Sequence, residues 1–181
     1  MAFARPRKLF TEAELYEYAI GALARRSRSV AELKRLLRNR VEADTEFGKT
    51  LVELIIVRLK DQGYLNDARY AAAYSSYRRD TEKFGRRRIV SDLKIKGVHG
   101  DVIEKAVDSA YEDVREEDLA RAYLKRKRVK KPKDQRETAR IFRGLSRAGF
   151  GPKTIFTILK KWDVDDETLS VLEEEIPEDK S

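Results

Sequence analysis

Residues 88–107, RIVSDLKIKGVHGDVIEKAV, align without a gap on residues 140–159, RIFRGLSRAGFGPKTIFTIL, at an offset of 52. A fixed internal period is the signature of a repeat architecture, in which each unit buries its apolar face against its neighbours. The matched positions are those that packing dictates: Ile89 meets Ile141, Leu93 meets Leu145, Gly97 meets Gly149, Val98 meets Phe150, Ile103 meets Ile155 and Val107 meets Leu159. Apolar residues four apart share one helix face, a glycine takes the left-handed position after the helix, and the next apolar residue turns inward to start the following helix. Each copy is therefore a helix-turn-helix unit. The first third carries a looser copy, with Leu33 and Leu37 at the Ile89 and Leu93 positions, Val41 where Gly97 would stand, and a longer turn.

Strand signals are nearly absent, with no sustained alternation and no Asn-Gly or Asp-Gly hairpin between β-branched runs. Helix signals recur. Thr11 to Glu14 and Ser29 to Glu32 both fit the capping box, and Gly151-Pro152 opens a segment whose Ile155, Ile158, Leu159 and Trp162 form one stripe. The pattern predicts helices over 11–26, 29–40, 45–62, 66–79, 86–96, 101–113, 115–129, 134–148 and 152–162. The expected fold is all-α: three tandem three-helix repeats, elongated and curved. Residues 1–10 form an N-terminal extension, 11–64, 65–114 and 115–162 the repeats, and 163–181 an acidic tail. With 41% hydrophobic and 40% charged residues, the chain has material for modest cores rather than one large interior.

The whole chain bears +8, yet residues 163–181 hold nine acidic side chains against Lys180 alone, so residues 1–162 bear +16. A body that basic points to a polyanion or an acidic protein groove as partner. There is no cysteine for a disulfide or thiolate metal site. The longest apolar run, Leu54 to Val57, is too short to span a membrane, and the opening MAFARPRKLF lacks the apolar core of a secretory signal. A cytoplasmic protein is expected.

Catalytic patterns do not assemble. His99 is the single histidine and falls in a turn, where a surface or capping role is expected. Gly48-Lys49-Thr50 imitates the end of a phosphate-binding loop, but the preceding glycine is replaced by Ala43 and no strand leads into it. Glu116-Glu117-Asp118 opens a helix, where acidic residues complement the dipole. Asp61, Asp67 and Asp92 are available for acid–base work, but nothing singles them out. No cofactor or metal is expected, and the chain reads as a non-enzyme.

Basic clusters stand at Arg25-Arg26-Ser27-Arg28, Arg78-Arg79, Arg86-Arg87-Arg88 and the run Lys125 to Lys133. The last can be a dipole-complementing cap, a solvated linker or a strip that follows phosphates. Tyr64, Tyr70, Tyr74 and Tyr77 lie near basic residues; Tyr70, Ala71 and Tyr74 share a buried stripe, so packing is expected before base stacking.

The residues Arg26-Ser27-Arg28-Ser29 with Glu32-Leu33 and Leu37, the stretch Gly63 to Ala71 (GYLNDARYA), Gly85 to Ile89 with Leu93 and Lys96-Gly97-Val98, and Gly149-Phe150 resemble the RecX family of regulators of the RecA recombinase. The resemblance covers nearly all of residues 11–162. It implies a curved rod lodged in the groove of the RecA filament on single-stranded DNA, limiting filament growth and lowering ATP hydrolysis, strand exchange and RecA-assisted repressor cleavage by occupancy. The expected contact residues are Arg25, Arg28, Arg69, Arg86, Arg87, Lys125, Arg126, Arg128 and Lys131. The expected partners are the RecA filament and single-stranded DNA, met by a monomer. A standalone helical DNA-binding protein is the alternative, and an unrecognised enzyme the third reading.

Overall fold

Ten α-helices and one π-helical turn make up the described part of the computed structural model, which covers residues 9–42 and 44–174; no strand occurs there. The helices are α1 (Glu12–Arg25), α2 (Val30–Arg38), α3 (Glu46–Asp61), α4 (Asp67–Tyr77), α5 (Arg86–Ile95), α6 (Gly100–Tyr111), α7 (Glu116–Arg126), α8 (Gln135–Arg147), α9 (Pro152–Lys160) and α10 (Asp166–Glu174). The π-helical turn, Arg78–Glu82, follows α4 directly. Each of the nine expected segments corresponds to one observed helix. The expected ends mostly run long by up to three residues, because they include the caps and the turns that follow them.

The described residues divide into two compact units, residues 9–73 with Leu93–Ile103 and Tyr74–Asp92 with residues 104–174. In the first, the predicted capping boxes form. The Thr11 and Ser29 hydroxyls accept from the Glu14 and Glu32 amides, and each glutamate returns the bond to the cap's own amide. The starts of α1 and α2 are thereby fixed, and Leu15, Ala19 and Ala22 meet Leu33 and Leu37 over the Leu51–Leu59 face of α3. Gly48, the residue that imitates a phosphate loop, is packed into the first turn of α3, where a Cβ would lie 2.1 Å from the Glu42 carbonyl oxygen. Close backbone approach accounts for that glycine; Ala43 lies outside the described residues.

The second unit closes around Leu119 and Leu124 of α7, Phe142 and Leu145 of α8, and Ile155, Ile158 and Leu159 of α9. The expected acidic tail is corrected here: its residues 166–174 form α10, which buries Leu169 and Leu172 in this core. Two buried leucines stabilise by roughly 1.5–3 kcal/mol each, enough to hold in place a helix too short and too acidic to form by itself. The part beyond 174 lies outside the described residues. The sequence around α10 repeats the start of every first helix: Phe10-Thr11 with Leu15, Leu65-Asn66 with Tyr70, Val114-Arg115 with Leu119, and Val164-Asp165 with Leu169. An apolar residue before the cap packs toward one four positions into the helix, the hydrophobic staple. α10 thus opens with the same staple pattern as α1, α4 and α7.

One junction recurs in both units. In the first, the Ser29 hydroxyl at the start of α2 donates to the Lys96 carbonyl at the end of α5, 2.5 Å away. In the second, the Gly85 amide at the start of α5 donates to the Ala148 carbonyl at the end of α8 at 2.8 Å, and the Arg87 amide donates to Gly149 O at 3.2 Å. The amide end of one helix is set on the carbonyl end of another, satisfying groups that a helix cannot satisfy alone. The turn glycines make the approach possible. Gly97 and Gly149 have φ of 73° and 92°. A Cβ on Gly97 would stand 2.5 Å from the Ala31 Cβ, and one on Gly149 2.3 Å from the Arg88 amide nitrogen. In the first repeat, where Val41 stands in the glycine position, the residue that leads into α1 takes the seat: the Phe10 amide, next to the Thr11 cap, donates to the Arg40 carbonyl just past the end of α2 at 2.9 Å.

Glu32 is the hub of the first junction. Its carboxylate accepts from the Ser29 amide at 3.2 Å, the Lys96 ammonium at 3.3 Å and the Tyr70 hydroxyl at 3.3 Å, with Arg26 3.7 Å away. Burial works to raise its pKa, but the Ser29 amide and the charges of Lys96 and Arg26 outweigh it, leaving the carboxyl below its ordinary 4.5. Burial, and then the charge of Glu32, push the Tyr70 phenol up to about 12. Nearby, Asp67 accepts from the Val30 amide at 2.8 Å, so this carboxylate caps α2 rather than serving acid–base chemistry.

Gly149→Ala, which combines a left-handed conformation with a backbone clash, is expected to cost about 3 kcal/mol or more in urea unfolding, against about 1 kcal/mol for Gly63→Ala, whose φ is 73° in open space. Equal destabilisation by the two would contradict the junction. Because the folded pKa of Glu32 is depressed, its stabilisation is complete at neutral pH and disappears as pH falls through 4.5 and below. Glu32→Gln should lower stability at pH 7 by roughly 1–3 kcal/mol and flatten the acid limb of the stability profile.

Candidate functional site

Three arginines, Arg86, Arg87 and Arg88, occupy the first turn of α5, which has no acidic residue. Cations there oppose the helix dipole, so helix stability does not account for them. Arg86 is paired with Asp108, and Arg88 is 3.0 Å from Asp92 and 5.7 Å from the centre of the Phe84 ring. Arg87 is exposed and has no ionic partner among the described residues.

The other expected contact residues sort the same way. In the first unit, Arg28 Nε donates to the Ala22 carbonyl in the last turn of α1 at 3.4 Å, and Arg69 Nη2 donates to the Gly63 carbonyl in the turn that follows α3 at 2.7 Å. Arg25 is exposed at the last turn of α1. In the second unit, Arg126 is held by Glu82 at 2.8 Å and Lys131 by Asp163 at 2.8 Å. Lys125 and Arg128 are exposed without an ionic partner among the described residues. The nine are thus divided between the two units, three in the first and six in the second.

The basic run after α7 forms one wall of a groove of about 520 Å³ whose other wall is α8. Lys127, Arg128, Lys130, Lys131 and Lys133 come from the run, and Arg140 and Arg147 from α8, two turns apart on one face. Glu137 is the one acidic lining residue, and its carboxylate accepts from the Lys133 backbone amide at 2.9 Å. Of the three roles open to the run, the cap is filled in part: Lys125 and Arg126 stand in the last turn of α7, where positive charge complements the dipole. Lys127, Lys130, Arg140 and Arg147 fall outside the expected contact residues. The α8 arginines give no cluster in the sequence, because they are spaced along one helix face.

Of the tyrosines, Tyr70 and Tyr74 are half-buried, Tyr74 donating to Asp92 at 3.1 Å, whereas Tyr64 and Tyr77 are exposed. His99 is exposed, and its carbonyl accepts from the Val102 and Ile103 amides at the start of α6. Glu116, placed to complement the dipole of α7, also reaches across to α9, accepting from the Gly151 amide at 3.1 Å and from the Thr154 hydroxyl. Among the described residues no helix is long and apolar enough to cross a membrane, and no cluster of three metal-ligating side chains occurs.

Residues 66–107, spanning α4 to α6, match the family model described as RecX, second three-helix domain. The Regulatory protein RecX of Myxococcus xanthus (strain DK1622) is 33% identical over 169 residues, covering 87% of each chain. That of Pseudomonas putida (strain W619) is 33% identical over 149 residues, covering 82% of this chain and 90% of that one. The crystal structure of RecX from Lactobacillus salivarius matches with a TM-score of 0.65 over 84% of this chain and 96% of that one, at 24% identity, a likeness of fold. These relatives carry the name of a regulatory protein, and no catalytic family is indicated.

Proposed function

The chain belongs to the RecX family of regulatory proteins, and from that premise we propose that it binds the RecA filament on single-stranded DNA and restrains it by occupancy. Filament growth, ATP hydrolysis, strand exchange and RecA-assisted repressor cleavage would all fall together, since each depends on an intact filament. The observation that supports this most is the set of exposed cations without ionic partners among the described residues, Arg25, Arg87, Lys125 and Arg128. Other basic residues, such as Arg86, Arg126 and Lys131, are engaged by the chain's own carboxylates. Unpaired surface charge gains little for stability, but it accelerates and orients association with a polyanionic assembly.

The alternative, a standalone DNA-binding protein, draws on the basic groove between the Lys127–Lys133 run and α8. The two readings part at the recombinase. Titrated into RecA turning over ATP on single-stranded DNA, this protein should inhibit at substoichiometric ratios. Arg87→Glu with Lys125→Glu should raise the half-inhibitory concentration about tenfold, a change of ~1.4 kcal/mol. These two are the informative pair because neither is held in an ion pair among the described residues, whereas reversing Arg126 would also break its contact with Glu82. ATP hydrolysis unchanged at stoichiometric protein overturns the regulator reading.

A further inference from the structure

The buried residues of α3, from Gly48 to Leu59, point into the first core. On the other side of the same helix Phe47, Leu54 and Val57 are 78%, 48% and 52% exposed, with the exposed Thr50 between them. Positions 47, 50, 54 and 57 are spaced by three and four, which is the a/d seam of a two-helix coiled coil. The repeat does not ask for such a seam. The exposed positions of α6, the third helix of the second repeat, are Gly100, Asp101, Glu104, Lys105, Asp108 and Ser109, and those of α9 in the third are Lys153 and Lys160. Only α3 is long enough, at 16 residues against 12 and 9, to present two heptads.

We propose that this seam pairs with the same seam of a second copy, α3 lying antiparallel to α3 about a twofold axis near residue 52. In that register Phe47 meets Val57 of the second copy and Thr50 meets its Leu54, so every seam position is filled on both sides. Charge decides the direction. In a parallel pair Asp61, which continues the seam, would lie against itself with no cation paired to it among the described residues. In the antiparallel pair Asp61 falls beyond the seam, and Glu46 of each copy comes opposite Lys60 of the other, an exposed cation without an ionic partner among the described residues. Like charges then meet only at Glu53, which Lys34 already neutralises at 2.7 Å. The interface is small: four side chains from each copy fall short of the roughly 800 Å² per partner of a stable complex, so the pair is weak and reversible. No helix has to be ordered to form it, because α3 is held by its own core. The expected monomer is the dilute state. Neither the filament reading nor nucleic acid enters this inference.

The test is sedimentation velocity of the full chain alone, from about 5 to about 500 µM, where the average mass should rise toward that of two copies with a midpoint on the order of 100 µM. Leu54→Lys should weaken association about tenfold or more with the thermal midpoint unchanged, since this side chain is half exposed. Lys60→Glu should weaken it about threefold, and adding Glu46→Lys should restore it, which independent local effects of the two changes would not do. The chain has no cysteine, so disulfide trapping reads the direction. A mixture of Phe47→Cys and Val57→Cys proteins should cross-link under mild oxidation. Phe47→Cys alone should not, because its two thiols would lie roughly 15 Å apart along the axis. A chain that stays monomeric throughout, association that Leu54→Lys leaves unchanged, or self-cross-linking of Phe47→Cys each overturns the proposal. Monomeric protein whose inhibition of RecA is lost in Leu54→Lys would overturn it too, and would make the stripe a contact with the filament.

Discussion

The contact on which this architecture depends is the seating of one helix's amide end on another's carbonyl end. A helix leaves four donors and four acceptors unmatched, and a short helix gains too little from its own bonds to absorb that cost when buried. Here α2 gives its start to the end of α5, and α5 gives its start to the end of α8. Both seats need a glycine in a left-handed turn, Gly97 and Gly149, because any side chain there would collide with the helix start being received. The 52-residue period is the sequence record of that steric demand. Where the demand lapses, at Val41, the Phe10 amide closes the helix end instead.

Charge is distributed according to the same geometry. Several basic residues serve the fold directly: Arg28 closes the end of α1, Arg69 holds the turn after α3, Lys96 braces Glu32, and Arg126 and Lys131 reach carboxylates from other segments. Once these are set aside, the cations that remain include Arg25, Arg87, Lys125, Arg128 and the groove residues. A regulator acting by occupancy needs such a remainder and no reactive centre. Binding energy held in dispersed charge is also readily tuned by salt and easily reversed, which suits a protein proposed to restrain a dynamic filament.

Much of the fold is legible in the sequence because its determinants are local. Capping boxes at Thr11 and Ser29, the glycine-apolar pair at each turn and the stripes of α9 can be read from neighbouring residues. α10 is obscured, because nine acidic residues give 163–181 the look of a tail and mask Val164 and Leu169, which repeat the first-helix pattern, and the buried Leu172. The reach of Glu116 to Gly151 and Thr154 joins residues more than thirty positions apart and leaves no local trace. The same holds for the partition of the cations. Sequence places Arg126 and Lys125 side by side, and only the fold brings Glu82 to one and not the other. The groove is half-legible: the Lys125–Lys133 run stands out, but Arg140, Gly144 and Arg147 are spaced by helix turns and come together only on α8.

Whether this chain acts by lying on a nucleoprotein filament through its unpaired basic surfaces is tested most directly by amide hydrogen exchange of the protein, free and bound to RecA-coated single-stranded DNA. Slowed exchange is expected around Arg25–Arg28, at the start of α5 and across residues 123–147, with the buried core of α3 unchanged. Filament-bound protein with no slowing in any of these segments, or protection confined to the exposed apolar residues of α3, Phe47, Leu54 and Val57, would contradict that mode of action.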